Sequence, residues 1–110
     1  RATYGANYPN ARYEIIEIDS QKAGSLCTDF SSERIQLVEI ALLPHYRCHG
    51  AGEFLIRGLI ETARGQETPI KLHVLMGNPA QRLYERLGFV ITETAPPYLA
   101  MEWRKQAGTH

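Results

Sequence analysis

The 110-residue chain predicts a mixed α/β (α+β) sheet with two helices packed on it, in the order βββαβαββ. Three observations carry that fold class. Short β-prone runs, bounded by Gly, Pro, Asn, Asp and Ser, open and close the chain. Between them Phe54, Leu55, Ile56, Leu59, Ile60 and Ala63 recur at helical spacing and predict one broad apolar face. A second helical stretch, opened by Asn78-Pro79 and stopped at Gly88, separates two further strand-like runs.

Each element has a local reason. Residues 1–12 carry Gly, Asn and Pro without a period and read as a lead-in loop. Tyr13 to Ile18 is a strand, Asp19 to Lys22 makes a tight connection, and Ala23 to Phe30 returns. Gly24 is a candidate bulge or close-approach site. After a turn at Ser31-Ser32-Glu33, Arg34 to Leu43 forms the longest strand. Ile35 and Leu37 share one of its faces, whereas Val38, Ile40 and Leu42 carry apolar character on the other. That change of parity means burial on both faces or a β-bulge that splays the strand and leaves backbone groups unpaired. The first helix spans about Gly50 to Arg64, with Gly65 its expected stop. Ile70 to Leu75 is a strand, Pro79 to Leu87 the second helix, and Phe89 to Glu93 and Tyr98 to Trp103 the last strands. Residues 104–110 are a polar tail.

The length suits a single domain over residues 1–110. A formal net charge of zero, with no basic stripe, argues against a nucleic-acid partner. No apolar run is long enough to span a bilayer and no signal-peptide pattern opens the chain, so no membrane partner is expected. Two cysteines, Cys27 and Cys48, do not make a disulfide framework, and the default compartment is cytoplasmic. His45, His49 and His110 lack metal-ligand partners at sensible spacing, so no metal site is expected.

The chemistry concentrates where the longest strand meets the first helix. Leu42-Leu43-Pro44-His45-Tyr46-Arg47-Cys48-His49-Gly50-Ala51-Gly52 runs strand, proline exit, glycine-punctuated loop, helix. Free backbone N–H groups at the positive end of a helix dipole suit a phosphate or pyrophosphate, and glycines let the backbone come close to it. The plain alternative is a strand-to-helix turn that needs glycine. The stretch is not a Walker loop, since no Lys-Ser/Thr pair follows, and it lacks the third glycine of GxGxxG.

Arg47-x-x-Gly50-x-Gly52, preceded by Leu42-x-Pro44, resembles the pyrophosphate loop of the GCN5-related N-acetyltransferase (GNAT) superfamily. Asn78 to Phe89, ending in Leu-Tyr-Glu-Arg-Leu-Gly-Phe, is similar to the second cofactor motif of the same family. The two occur in the family's order, and the resemblance extends from Tyr13 to Trp103. It implies a GNAT-like acyl-CoA N-acyltransferase fold and acetyl-CoA as co-substrate. One departure is large: the family usually has a further strand and helices before the first strand seen here, so an N-terminally truncated domain is expected. Cys48 replaces a usual Gly, and Cys48-His49 replaces the usual small-plus-basic pair. Glu53 in the first helical turn favours the dipole but is unhelpful beside a pyrophosphate.

The resemblance also implies roles. Arg47, Cys48, His49, Gly50, Ala51 and Gly52 would hold the pyrophosphate, and the backbone of Ile40, Leu42 and Leu43 would pair with the pantetheine arm. Tyr84 would protonate the departing thiolate, the alternative being a tyrosine packed on the sheet. Asn78 would contact the ligand, cap its helix, or both. Glu39 and His73 are the candidate general bases, set against an outward strand carboxylate, a hydrogen-bonded sheet histidine, or a water chain in their place. A Cys48 nucleophile with His73 or His49 has no recognisable signature. The function implied is acetyl transfer from acetyl-CoA to a primary amine, on a small molecule or peptide, by direct attack. The rivals are a CoA-binding module without turnover and a fragment that forms a homodimer over a bare sheet edge.

Overall fold

The computed structural model describes residues 10–46 and 50–105. Six strands form one sheet: β1 (Arg12–Ile18), β2 (Gln21–Phe30), β3 (Ile35–Leu42), β4 (Ile70–Leu75), β5 (Val90–Ala95) and β6 (Tyr98–Trp103). Their spatial order is β1-β2-β3-β4-β6-β5. Two helices, α1 (Ala51–Gln66) and α2 (Ala80–Arg86), complete the expected order, and a 3-10 turn at Pro44–Tyr46 adds a feature the sequence pattern did not suggest. Among the described residues only β3 and β4 pair in parallel, because α1 provides the crossover that a parallel pair needs. Among the described residues no helix is long and apolar enough to cross a membrane.

The β1–β2 turn is tighter than expected. Ile18 pairs with Gln21, so Asp19 and Ser20 alone make the loop, with φ of 54° and 67°. Positive φ at both central residues matches the right-handed twist of a hairpin. Gly24 is a close-approach site, and the bulge falls on its neighbour. Ile16 pairs with Gly24 and Glu17 with Lys22, which leaves Ala23 as the extra residue of a bulge. A Cβ on Gly24 would lie 2.0 Å from the Ala41 carbonyl oxygen.

In β3 the alternatives are decided in favour of a bulge. Cys27 pairs with Glu39 and Thr28 with Leu37, so Val38 is the extra residue. Skipping one residue returns Ile40 and Leu42 to the face of Ile35 and Leu37 and turns Glu39 to the opposite face, beside Cys27. Pairing to β4 covers only Ile35–Ile70, Gln36–Lys71 and Leu37–Leu72. Beyond Leu37 the two strands part.

Both helices pack on one face of the sheet. Ile56, Leu59, Ile60 and Ala63 of α1 bury against Leu26, Ile35, Leu37, Ile70, Leu72, Val74, Leu99, Met101 and Trp103, with Tyr84 and Phe89 closing the cluster. Burial of each large aliphatic on the α1 stripe contributes about 2 kcal/mol. Phe54 does not join that stripe. It is 76% exposed, because it lies two residues before Ile56, about 200° round the helix.

Gly65 is not the helix stop. The helix runs to Gln66, and Glu67 takes the left-handed conformation (φ 59°). Glu67 N–H donates to the Arg64 carbonyl and Thr68 N–H to that of Ala63. That is a Schellman closure, set by the buried Thr68 and the entry into β4 rather than by the nearest glycine. At α2 the glycine does mark the end. Gly88 has φ 105°, and Phe89 N–H donates to the Tyr84 carbonyl, which delays β5 to Val90.

Gly65 is exposed within α1, and a Cβ there meets nothing within 4 Å. Gly65→Ala therefore raises stability by about 0.5–1 kcal/mol in chemical denaturation. Gly24→Ala, driven into the Ala41 carbonyl, lowers it by about 1–3 kcal/mol.

Candidate functional site

Because β3 and β4 separate after Leu37, a cleft of about 1180 Å³ opens through the sheet. Leu37 to Leu42 form one wall and Leu72 to Leu75 the other. On the helix side it is bounded by Gly50, Gly52 and Glu53 at the start of α1 and by Arg82, Leu83, Tyr84 and Arg86 of α2. On the opposite side it meets Glu39, His73 and Tyr98. One opening thus has a helix N-terminus at one end and titratable side chains at the other.

The α1 end depends on Gly50. As N-cap it has φ 81°, a conformation costing an L side chain about 1–2 kcal/mol. Among the described residues no side chain caps the helix there, and the Gly50 carbonyl accepts the Phe54 N–H at 2.9 Å. Gly52 sits between β3 and α2, where an added Cβ would lie 3.8 Å from both Leu42 and Leu83. That is ordinary contact, so packing within the protein does not require glycine at this position. Ala51 is half-buried. Arg47, Cys48 and His49 lie outside the described residues.

Ile40 and Leu42 line the cleft, but Leu43 does not. The Leu43 N–H donates to the Ala23 carbonyl at 2.7 Å, so it is directed at β2. Successive amides of a strand alternate in direction, which turns the edge groups of Leu42 and Ile40 the other way. Asn78 lines the cleft and also caps α2, its Oδ1 accepting the Ala80 N–H at 2.8 Å.

Tyr84 is 5% exposed and its ring lies 5.6 Å from that of Phe89. Its hydroxyl has no hydrogen-bond partner among the described residues. Burial pushes the phenol above its ordinary pKa of 10.0, which keeps it protonated at neutral pH. Glu39 reaches the cleft from the opposite face, and its Oε1 is buried without a hydrogen-bond partner among the described residues. A buried oxygen of that kind is costly unless a ligand or water meets it. His73 is exposed on the same face. Cys27, across from Glu39, is buried, and desolvation, then the Glu39 and Asp29 charges, push its thiol up. It is a protonated core residue rather than a nucleophile.

The sequence reading missed a group of charges on the helix side. Glu53 Oε2 accepts from Arg57 Nε at 2.8 Å, and Glu53 Oε1 accepts from Arg86 Nη2 at 2.8 Å. The Arg57 bond first, then that of Arg86, hold the Glu53 carboxyl below its usual pKa. Spacing of four residues makes the Arg57 pair legible in the sequence. Nothing local signals Arg86, which comes from α2. Arg82 also lines the cleft, and its side chain has no partner among the described residues.

The fold and cleft define a structure of the acyl-CoA N-acyltransferase class. Among solved structures of this class, the PaiA N-acetyltransferase from Thermoplasma acidophilum in complex with coenzyme A superposes with a TM-score of 0.75. The identity is 18%, over 94% of this chain and 66% of that one. Naa50 of Arabidopsis thaliana in complex with the bisubstrate analogue CoA-Ac-MVNAL gives 0.72 at 19% identity, over 82% and 70% of the two chains. In sequence, a Bacillus subtilis (strain 168) protein provisionally named a ribosomal protein bS18-alanine N-acetyltransferase is 34% identical over 82 residues. Those residues are 73% of this chain and 54% of that protein, so the chain spans about half the length of the relative. The acetyltransferase (GNAT) family profile matches residues 3–89, and the chain belongs to that family.

The raised pKa of Tyr84 has a measurable consequence. Its contribution to stability is complete below pH 10.0 and is lost as pH climbs through the higher folded value. In an alkaline titration read by phenolate absorbance, Tyr84→Phe removes a component that develops above pH 10.0 in the folded protein.

Proposed function

We propose that this domain is an N-acetyltransferase that moves an acetyl group from acetyl-CoA to a primary amine by direct attack, without a covalent enzyme intermediate. The observation that carries the reading is the cleft through the sheet. It has a glycine-marked helix N-terminus at one end and two buried groups suited to proton transfer, Tyr84 and Glu39, along its walls. A long ligand with an anionic end and a neutral thioester end fits that polarity. Gly50, Ala51 and Gly52 would meet the diphosphate together with Arg47, Cys48 and His49. The cleft edge of β3, at Ile40 and Leu42, would run beside the pantetheine arm, and the Ile40 amide would offer a hydrogen bond to the thioester oxygen.

The acceptor would enter from the face of Glu39 and His73. An amine is mostly protonated at pH 7 and must lose a proton before it attacks. Glu39 takes that proton, directly or through a water, and its unpartnered Oε1 is available for it. His73 is the second candidate base on this face. The amine nitrogen bonds to the thioester carbon, the carbon–sulfur bond breaks, and Tyr84 gives its proton to the departing thiolate. Burial suits Tyr84 to this step, since it arrives protonated. The names of the relatives support a peptide or protein amine as acceptor: one is named for an alanine of a ribosomal protein, and another binds a CoA–peptide conjugate.

Calorimetric titration with acetyl-CoA tests the cofactor. Saturable binding by the native chain, abolished by Gly50→Glu, is the expected result; a folded native chain without binding rejects the reading. With a peptide amine as acceptor, Tyr84→Phe lowers kcat by about 10²-fold or more with acetyl-CoA affinity retained. Glu39→Gln lowers kcat by a similar factor, again with acetyl-CoA affinity retained. Tight binding without thiol release across peptide and small amines would instead identify a CoA-binding module.

A further inference from the structure

A carboxylate in the first turn of α1 presents a problem for the reading just given, because Glu53 lines the same cleft as Gly50 and Gly52. Left alone, it would repel a diphosphate held at that helix end. The structure shows how the charge is met. Both Glu53 oxygens are taken by guanidinium groups, Oε2 by Arg57 Nε and Nη2 at 2.8 and 2.7 Å and Oε1 by Arg86 Nη2 at 2.8 Å. Two cations face one carboxylate, and Arg82, one helical turn before Arg86, lines the cleft beside Arg86.

We propose that Arg86, with Arg57, is a positioning residue that cancels the Glu53 charge and so tunes the α1 N-terminus for the phosphate end of an acyl-CoA. This rests on the acetyl-CoA reading above. Two features separate the role from a simple structural tie. The arginine side chains are 60% and 62% exposed, and solvent-exposed ion pairs add little to folding stability. Arg86 is also the last residue of α2, while Glu53 is in the first turn of α1. Each charge therefore sits where its own helix dipole favours it, without needing the pair. Loss of Arg86 exposes Glu53 to the ligand, whereas loss of the Glu53 charge releases two guanidinium groups toward it.

The test is CoA titration by calorimetry on the full chain and on Arg86→Gln, Glu53→Gln and the double variant, at about 0.05 M and 1 M salt. At low salt Arg86→Gln weakens CoA binding about three- to tenfold, Glu53→Gln tightens it, and the double variant returns to near the native value. At 1 M salt, where the screening length falls to about 3 Å, the differences shrink to less than twofold. Arg86→Lys restores most of the affinity. A Glu53→Gln change that weakens binding as Arg86→Gln does, or an Arg86→Gln deficit that persists at 1 M salt, overturns the proposal and leaves a structural tie. Native protein that does not bind CoA at all rejects the acetyl-CoA reading first, and this proposal with it. Circular dichroism on each variant separates a misfolded chain from an altered charge, with Arg86→Lys the variant least disturbing to the fold.

Discussion

The cleft that splits this sheet follows from one extra residue in β3. Val38 has no counterpart on β2, so the strand bends and its ladder to β4 ends at Leu37. Without the bulge, Glu39 would share the face of Leu37 and point into the helix-side core, while Ile40 and Leu42 would point away from it. With the bulge, the apolar residues on both sides of Val38 face the helices, and the carboxylate faces the opposite way. The same irregularity repairs the hydrophobic pattern, opens the cleft and presents an acidic group to it.

The two ends of that cleft work by different physics. At the α1 end the relevant groups are backbone amides and a helix dipole, weak individually but fixed in direction, with Gly50 alone able to hold the required conformation without strain. Further in, burial matters more. Tyr84 is enclosed by Phe89 and the strand side chains, so its phenol is costly to ionise. Glu39 carries a buried oxygen that no described group satisfies. Such groups are retained when a ligand is the missing partner, although they lower the stability of the free protein.

Arginine placement sets the charge of the helix side. Two guanidinium groups pair with one carboxylate and Arg82 lines the cleft beside Arg86, a positive local balance although the chain as a whole is neutral. Overall charge says little about a ligand of this kind, because screening limits each charge to about 10 Å at moderate salt. The local arrangement of Glu53, Arg82 and Arg86 is what an anion in the cleft would meet, with Arg57 paired to Glu53 behind it.

Much of this was legible in the residues. Element order, the α1 stripe from Ile56 to Ala63, the stop at Gly88, the close approach at Gly24 and the two motifs all follow from short-range rules of period, capping and backbone freedom. At the end of α1 a distant contact overruled them, since Thr68 and β4 carried the helix past Gly65, whereas Phe54 lies off the stripe by the helix period itself. The parity break at Val38 was visible but open to two readings, since only pairing with β2 distinguishes a bulge from a doubly buried strand. By itself, then, the sequence determined the elements and the chemistry they could carry, because helix period, turn conformation and capping act over a few neighbouring residues. The tertiary structure decided the width and polarity of the cleft, the burial of Tyr84 and the partner of Glu53, because each depends on residues brought together from strands and helices far apart in the chain.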